Sequence, residues 1–267
     1  MSNENMSNEN MSNENMPNEN MLNENMPKEG RIHTRGLEPD DNRMFGVEQT
    51  GKLKSAQLEL SFLLDRGYPI KSAMAFVGNH HQLTSRQSLA VTRSTASTES
   101  LSVRTGKSIT PDGVAGKTIY IDGFNQIITL EVALSDGMLF VGQDGCVRDL
   151  AELRGTYRLI PQTMTAIDII KGVCSELNVS DVVIMLDEPV SNSGRLKTRV
   201  YDTYWPMPVD VVILRNPDAE LKKLPCVVSS DSIVLDCCAS WFNMAAYAFS
   251  SCKEFQKLSR LVRMDNR

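Results

Sequence analysis

Apolar positions follow two different periods along this chain. Within residues 52–65, Leu53, Ala56, Leu60, Leu63 and Leu64 recur at helical spacing, and Arg66-Gly67 closes the run. Pro69 suits the first turn of a second helix, with Ala73, Met74, Phe76 and Val77 on its apolar side and Gly78-Asn79 at its end. Thr84 predicts the cap of a third helix with core candidates Leu89, Ala90 and Val91. From about Lys117 the pattern becomes short, almost wholly apolar runs. Residues 118–122, 181–186, 209–214 and 226–229 read as strands, with shorter ones at 138–141 and 233–236. Between and after them, residues 126–134, 163–177, a stretch starting near Gly194, 241–249 and 253–262 read as helices. Apolar strands alternating with helices predict an α/β domain whose parallel sheet is covered on both faces.

These periods divide the chain. Residues 1–30 are a five-residue repeat, MSNEN three times and then variants, with no apolar face to bury, and are expected to be disordered. Residues 31–50 read as a linker or irregular arm. Residues 51–98 form a small helical module, either helix-turn-helix-like, with Arg86 and Arg93 available to phosphates, or a docking unit. The Ser-, Thr- and Gly-rich stretch 99–116 reads as a second linker, and 117–267 as the α/β domain.

Charge adds an asymmetry to the net value of −5. Residues 51–107 hold eight Lys and Arg against three acids, whereas 108–267 hold sixteen against twenty. A basic module beside an acidic one fits a nucleic-acid binder joined to a metal-using domain, and it equally fits two ordinary solvated surfaces. The six cysteines lack CxxC or zinc spacing and read as reduced, mostly buried thiols of a cytoplasmic protein. No stretch of ~20 apolar residues and no secretory signal is present, so neither a membrane nor export is expected. His80 and His81 are adjacent, which points them apart on a helix and makes them a poor metal pair.

The candidate chemistry lies at the strand ends. Three of the four main strands finish at an aspartate: Asp122 in T-I-Y-I-D-G-F-N, Asp187 after D-V-V-I-M-L, and Asp231 in S-S-D-S. Each could be a simple turn, with Asn125 a helix cap. If the strands are neighbours, their carboxylates converge on one sheet edge, where mutual repulsion calls for a cation. Oxygen ligands without a nearby Cys/His set favour Mg2+ or Mn2+. The turn S-N-S-G-R-L-K adds Ser191, Asn192, Arg195 and Lys197 as candidate phosphate contacts, and Arg154 and Arg158 could bind a nucleic-acid backbone.

The I-D-G-F-N strand, V-V-I-M-L-D and V-V-S-S-D-S-I-V-L-D resemble the PIN-like nuclease superfamily, its NYN branch most closely. The wider chain, through L-L-D-R-G-Y-P-I-K-S-A-M-A-F-V-G-N, R-D-L-A-E-L-R-G-T-Y-R and P-V-S-N-S-G-R-L-K, resembles a prokaryotic domain of unknown function of the DUF434/DUF5616 type. The PIN-like resemblance implies a three-layer fold and a metal held by Asp122, Asp187 and Asp231, with Asp236 as an additional acid. It makes Asn125 a polar neighbour of the metal or of the scissile phosphate. The helix-borne acid of that superfamily has no clear counterpart; Asp144, Asp149 and Glu152 are its candidates. The expectation is therefore a Mg2+- or Mn2+-dependent nuclease acting on RNA, or on DNA. The alternative is a non-catalytic RNA-binding protein on a degenerate PIN-like scaffold. A small-molecule phosphohydrolase is a third possibility, but no D-x-D-x-T signature or P-loop supports it.

Overall fold

A computed structural model describes residues 34–152, 155–255 and 260–264. The N-terminal repeat and the candidate Arg154 lie outside the described residues. Seven strands are present among them: β1 (Thr118–Asp122), β2 (Leu139–Val141), β3 (Val147–Asp149), β4 (Asp181–Asp187), β5 (Val209–Leu214), β6 (Val227–Val228) and β7 (Leu261–Arg263). Four of these make a parallel sheet in the order β5-β4-β1-β6. The first strand is thus central, with β4 on one side and β6 on the other. The chain runs outward from β1 through β4 to β5 and returns to the opposite side at β6. That reversal is a topological switch point, where open α/β sheets form a crevice at the carboxyl ends of their strands.

Alternation along the strands explains the two covered faces. Ile119, Ile121, Val182 and Ile184 point into a core with Ile127 and Leu130 of α7 (Gly123–Leu134) and Ile167, Ile170 and Val173 of α8 (Pro161–Glu176). Met185 and Val227 face the other way, toward Leu221, Val234, Leu235 and Trp241, with Tyr120 and Val183 packed alongside. These partners belong to α10 (Pro217–Leu221), α11 (Ser232–Cys237) and the segment before α12 (Met244–Ser251). Between β4 and β5 lies α9 (Ser193–Asp202).

Residues 34–116 are more ordered than their composition suggests. The expected arm at 31–50 contains α1 (Asp41–Phe45) and the start of α2 (Val47–Leu64). Two further helices, α3 (Ile70–His80) and α4 (Ser85–Ser94), occur where the periodicity places them. Thr84 caps α4 in a capping box with Gln87. The expected linker at 99–116 instead carries α5 (Thr98–Lys107) and α6 (Pro111–Val114). Ser97 caps α5, so the Ser/Thr richness there marks helix starts rather than slack chain.

A second sheet, ordered β3-β2-β7, was not foreseen. Residues 233–236, expected as a strand, lie in α11, because Asp231 caps a helix immediately before them. Residues 253–262, expected as a helix, hold a 3-10 turn at Lys253–Phe255 and part of β7, with 256–259 outside the described residues. The second sheet gives the helices their floor. Phe45, Leu53, Leu60, Val77 and Val91 share one core with Met138, Phe140, Leu150 and Met264. The described residues accordingly form one compact unit. Arg86 is tied to Asp41 at 2.6 Å and Arg93 to the Asp149 carbonyl at 2.6 Å, so neither arginine is free for phosphates. Among the described residues no helix is long and apolar enough to cross a membrane.

The join between β1 and α7 has no loop, and Gly123 is what allows it. A Cβ there would stand 2.5 Å from Leu186 Cδ2 and 2.8 Å from the Met185 carbonyl oxygen. Gly123→Ala is expected to destabilise the fold by ~1–3 kcal/mol through overpacking. Gly172→Ala in α8, where a Cβ meets nothing within 4 Å, should instead stabilise by ~0.5–1 kcal/mol. Urea denaturation of both variants checks the opposite signs.

Candidate functional site

Asp122 ends the central strand and also caps α7. Its side chain is buried, at 7% exposure. Ser229 Oγ donates to its carboxylate at 2.7 Å, and the same hydroxyl accepts from the Asp231 N–H at 3.0 Å. Asn125 Oδ1 accepts from both the N–H and the hydroxyl of Ser230, at 2.8 and 3.0 Å. Asp231 Oδ1 accepts from the N–H groups of Ile233 and Val234 at 2.8 and 3.0 Å, fixing the start of α11. From behind, Arg148 Nε donates to the Ser230 carbonyl at 2.8 Å. The I-D-G-F-N and S-S-D-S segments therefore interlock, and Asn125 acts as a brace for the Asp231 turn.

Burial raises the Asp122 pKa to about 7 against the opposing Ser229 hydrogen bond, and the negative charges of Asp218, Asp231 and Asp187 raise it further. Burial and the Asp218 charge also raise Asp187, while burial and the Asp231 charge raise Asp218, which Lys222 partly offsets. Four carboxylates thus share one field at the carboxyl edge of the sheet. Three are the aspartates expected there. Asp218 was missed: it sits in the first turn of α10, just past β5. The signal was the N-P-D triplet, in which Asn216 Oδ1 accepts from the Ala219 N–H and Pro217 takes the first helical position. Asp218 is a strand-end acid displaced by four residues and carried on a helix.

The cluster is open. Among the described residues, no three of these four carboxylates bring oxygens within 4.8 Å of one another. Hard oxygen donors that repel one another and lack a full countercharge nevertheless fit Mg2+ or Mn2+, since Mg2+ commonly uses one or two carboxylates and keeps several waters.

Other candidates lie elsewhere. Asp236 makes a two-pronged pair with Arg104 at 2.7 and 3.1 Å and does not join the cluster. Arg104 and Arg148 also grip Asp144; despite its burial they hold this carboxyl down at about 2. Asp149 accepts from Thr129 at 2.8 Å and from the Ala151 N–H. Ser191 and Asn192 hold the backbone of Tyr157, with Asn192 Nδ2 donating to its carbonyl at 2.6 Å. They secure a loop. Arg158 is exposed along a groove of about 480 Å3 that none of the four acids lines, and Glu152 lines the same groove. Arg195 is exposed in the first turn of α9, and Lys197 lies 5.6 Å from the Tyr201 ring centre.

Comparison with known proteins places this geometry in a lineage. Residues 111–247 match the domain of unknown function DUF5616, and residues 52–107 match the protein of unknown function DUF434. The chain is 30% identical over 185 residues to an uncharacterized protein of Methanocaldococcus jannaschii, covering 68% of this chain and 88% of that one. No solved structure matches the chain at a significant level.

The raised Asp122 pKa has a consequence for stability in metal-free buffer. Unfolded, the group ionises near 3.8; folded, near 7. Between those values the native state binds the extra proton, so its contribution to stability falls as pH rises through this window and then levels off. Asp122→Asn removes that fall. Its melting temperature relative to wild type should climb between about pH 4 and pH 7. A difference independent of pH would contradict the assignment.

Proposed function

The chain belongs to the DUF5616 family, and we propose that it is a metal-dependent ribonuclease of PIN-like, NYN-branch type. The observation that carries this reading is the electrostatic coupling of Asp122, Asp187, Asp218 and Asp231 at the switch point of a parallel sheet. Asp218 supplies the helix-borne acid that the resemblance requires.

A Mg2+ or Mn2+ ion bound there would lower the pKa of a coordinated water and neutralise charge developing on a phosphodiester. The chain's own residues set the stage for that chemistry. Ser229 orients one Asp122 oxygen and leaves the other without a hydroxyl from that residue. Asn125 and Arg148 fix the Ser230 backbone, which holds Asp231 in place with one oxygen committed to α11. Asp187 and Asp218 are half-buried and complete the acidic rim from β4 and α10. Repulsion within the rim excludes an anionic substrate until cationic charge is present. Arg195 at the start of α9 and Lys222 beside Asp218 are the cations that would meet phosphates flanking the scissile bond.

A second reading, binding of RNA without cleavage, is favoured by the open spacing of the acids. The two separate in one assay. Labelled single-stranded and structured RNA is incubated with Mn2+ or Mg2+, with DNA in parallel. Wild type should cleave RNA, and Asp122→Asn and Asp218→Asn should each lose ~100-fold or more, since metal-assisted charge stabilisation is worth several kcal/mol. Asp236→Asn should retain cleavage if folded. Wild type that binds RNA but cleaves no substrate supports the binding reading, and equal cleavage by wild type and Asp122→Asn rejects this active site.

A further inference from the structure

Away from the sheet edge, two helices bring three metal-ligating side chains together. Glu59 stands on α2, His80 is the last residue of α3, and His81 ends that helix. In a continuing helix adjacent side chains diverge by ~100°, which is why the sequence argued against this pair. Here the chain leaves the helix. His81 has φ −88° and ψ 5°, Gln82 has φ +47°, and the Leu83 N–H turns back to the Gly78 carbonyl at 2.8 Å. The two imidazoles consequently pack edge to face with centres 4.8 Å apart. His81 Nε2 lies 2.9 Å from Glu59 Oε2, and one ligand atom from each of the three residues falls within 4.8 Å of the others. Among the described residues no other group of three meets that distance.

We propose that Glu59, His80 and His81 form a site for a borderline divalent ion of the Zn2+ class, with a fourth position left to water. Two imidazoles and one carboxylate are the donor set that such an ion selects and that Mg2+ does not. Bonds of ~2.1 Å place two donors on one ion no more than about 4.2 Å apart. The contact between His81 and Glu59 already satisfies that limit. The His80 ring is exposed, and its ligand atom already lies within 4.8 Å of the other two. Because Glu59 belongs to α2 and both histidines to the end of α3, the ion clamps these two helices together. The site lies wholly within residues 52–107, the stretch that matches DUF434. It is independent of the carboxylate edge in both position and donor hardness.

The test uses the tag-free full chain, stripped with a chelator and titrated with Co2+ while its visible absorption is followed, and then competed with Zn2+. One equivalent should develop the intense visible band of a histidine-ligated, four-coordinate ion, whatever further Co2+ the oxygen ligands of the sheet edge take up. His80→Ala and His81→Ala should each weaken that binding ~10–100-fold, while Asp122→Asn leaves it unchanged. Zn2+ should raise the melting temperature of wild type but not of the His80→Ala/His81→Ala double variant. Absence of stoichiometric binding by wild type overturns the proposal. So does undiminished binding in the double variant, or loss of binding in Asp122→Asn, which would assign the ion to the sheet edge.

Discussion

A carboxylate that ends a central parallel strand and is 7% exposed is expensive to charge, and the architecture around Asp122 is organised by that expense. One hydrogen bond, from Ser229, supports the ionised form. The same hydroxyl receives the Asp231 N–H, so the bond that steadies Asp122 also sets the turn after β6. Gly123 lets α7 start without a loop, keeping Asp122 against the strand and Asn125 within reach of Ser230. The edge is rigid where these elements lock and looser where they do not.

Rigidity reaches this edge from two sides. Arg104 on α5 pairs with both Asp144 and Asp236, and Arg148 pairs with Asp144 while holding the Ser230 carbonyl. The helix expected to be a linker is in this way connected through buried charges to the turn that presents Asp231. Paired buried charges are weak evidence for stability, but breaking one leaves an uncompensated charge. They fix geometry more than they add energy. Asp236 belongs to this scaffold, which explains why an acid so close in sequence to Asp231 does not reach the cluster.

Much of the α/β core was legible because parallel strands declare themselves as apolar runs. Residues 209–214 read as the strand that β5 forms, and I-D and L-D marked two strand ends. What escaped the sequence was pairing across distance. β2 and β7 meet across more than a hundred residues, with nothing in three-residue strands to announce it. Ser191 and Asn192 looked like phosphate contacts because such turns offer the same polar groups to a ligand or to a loop, and here the loop at Tyr157 takes them. Asp218 escaped because its helix cap separates it from β5, and the packing of the His80 ring on His81 because the helix ends between them.

Burial first and the neighbouring negative charges second raise the pKa of Asp122, Asp187 and Asp218, and the same repulsion favours the open spacing of the acids. Like charges confined at an edge can separate, or one of them can bind a proton. Asp122 cannot separate: the strand, Gly123 and Ser229 hold it, and its pKa rises to about 7. Asp187 and Asp218 are half-buried on the rim, and among the described residues no third carboxylate oxygen of the four acids closes within 4.8 Å. A cation bound at this edge would oppose both, offsetting the repulsion between the acids and favouring the ionised form of the buried Asp122. An acid cluster with a fixed centre and a half-buried rim thus meets the same crowding in two ways, by a raised pKa at Asp122 and by separation among the other acids.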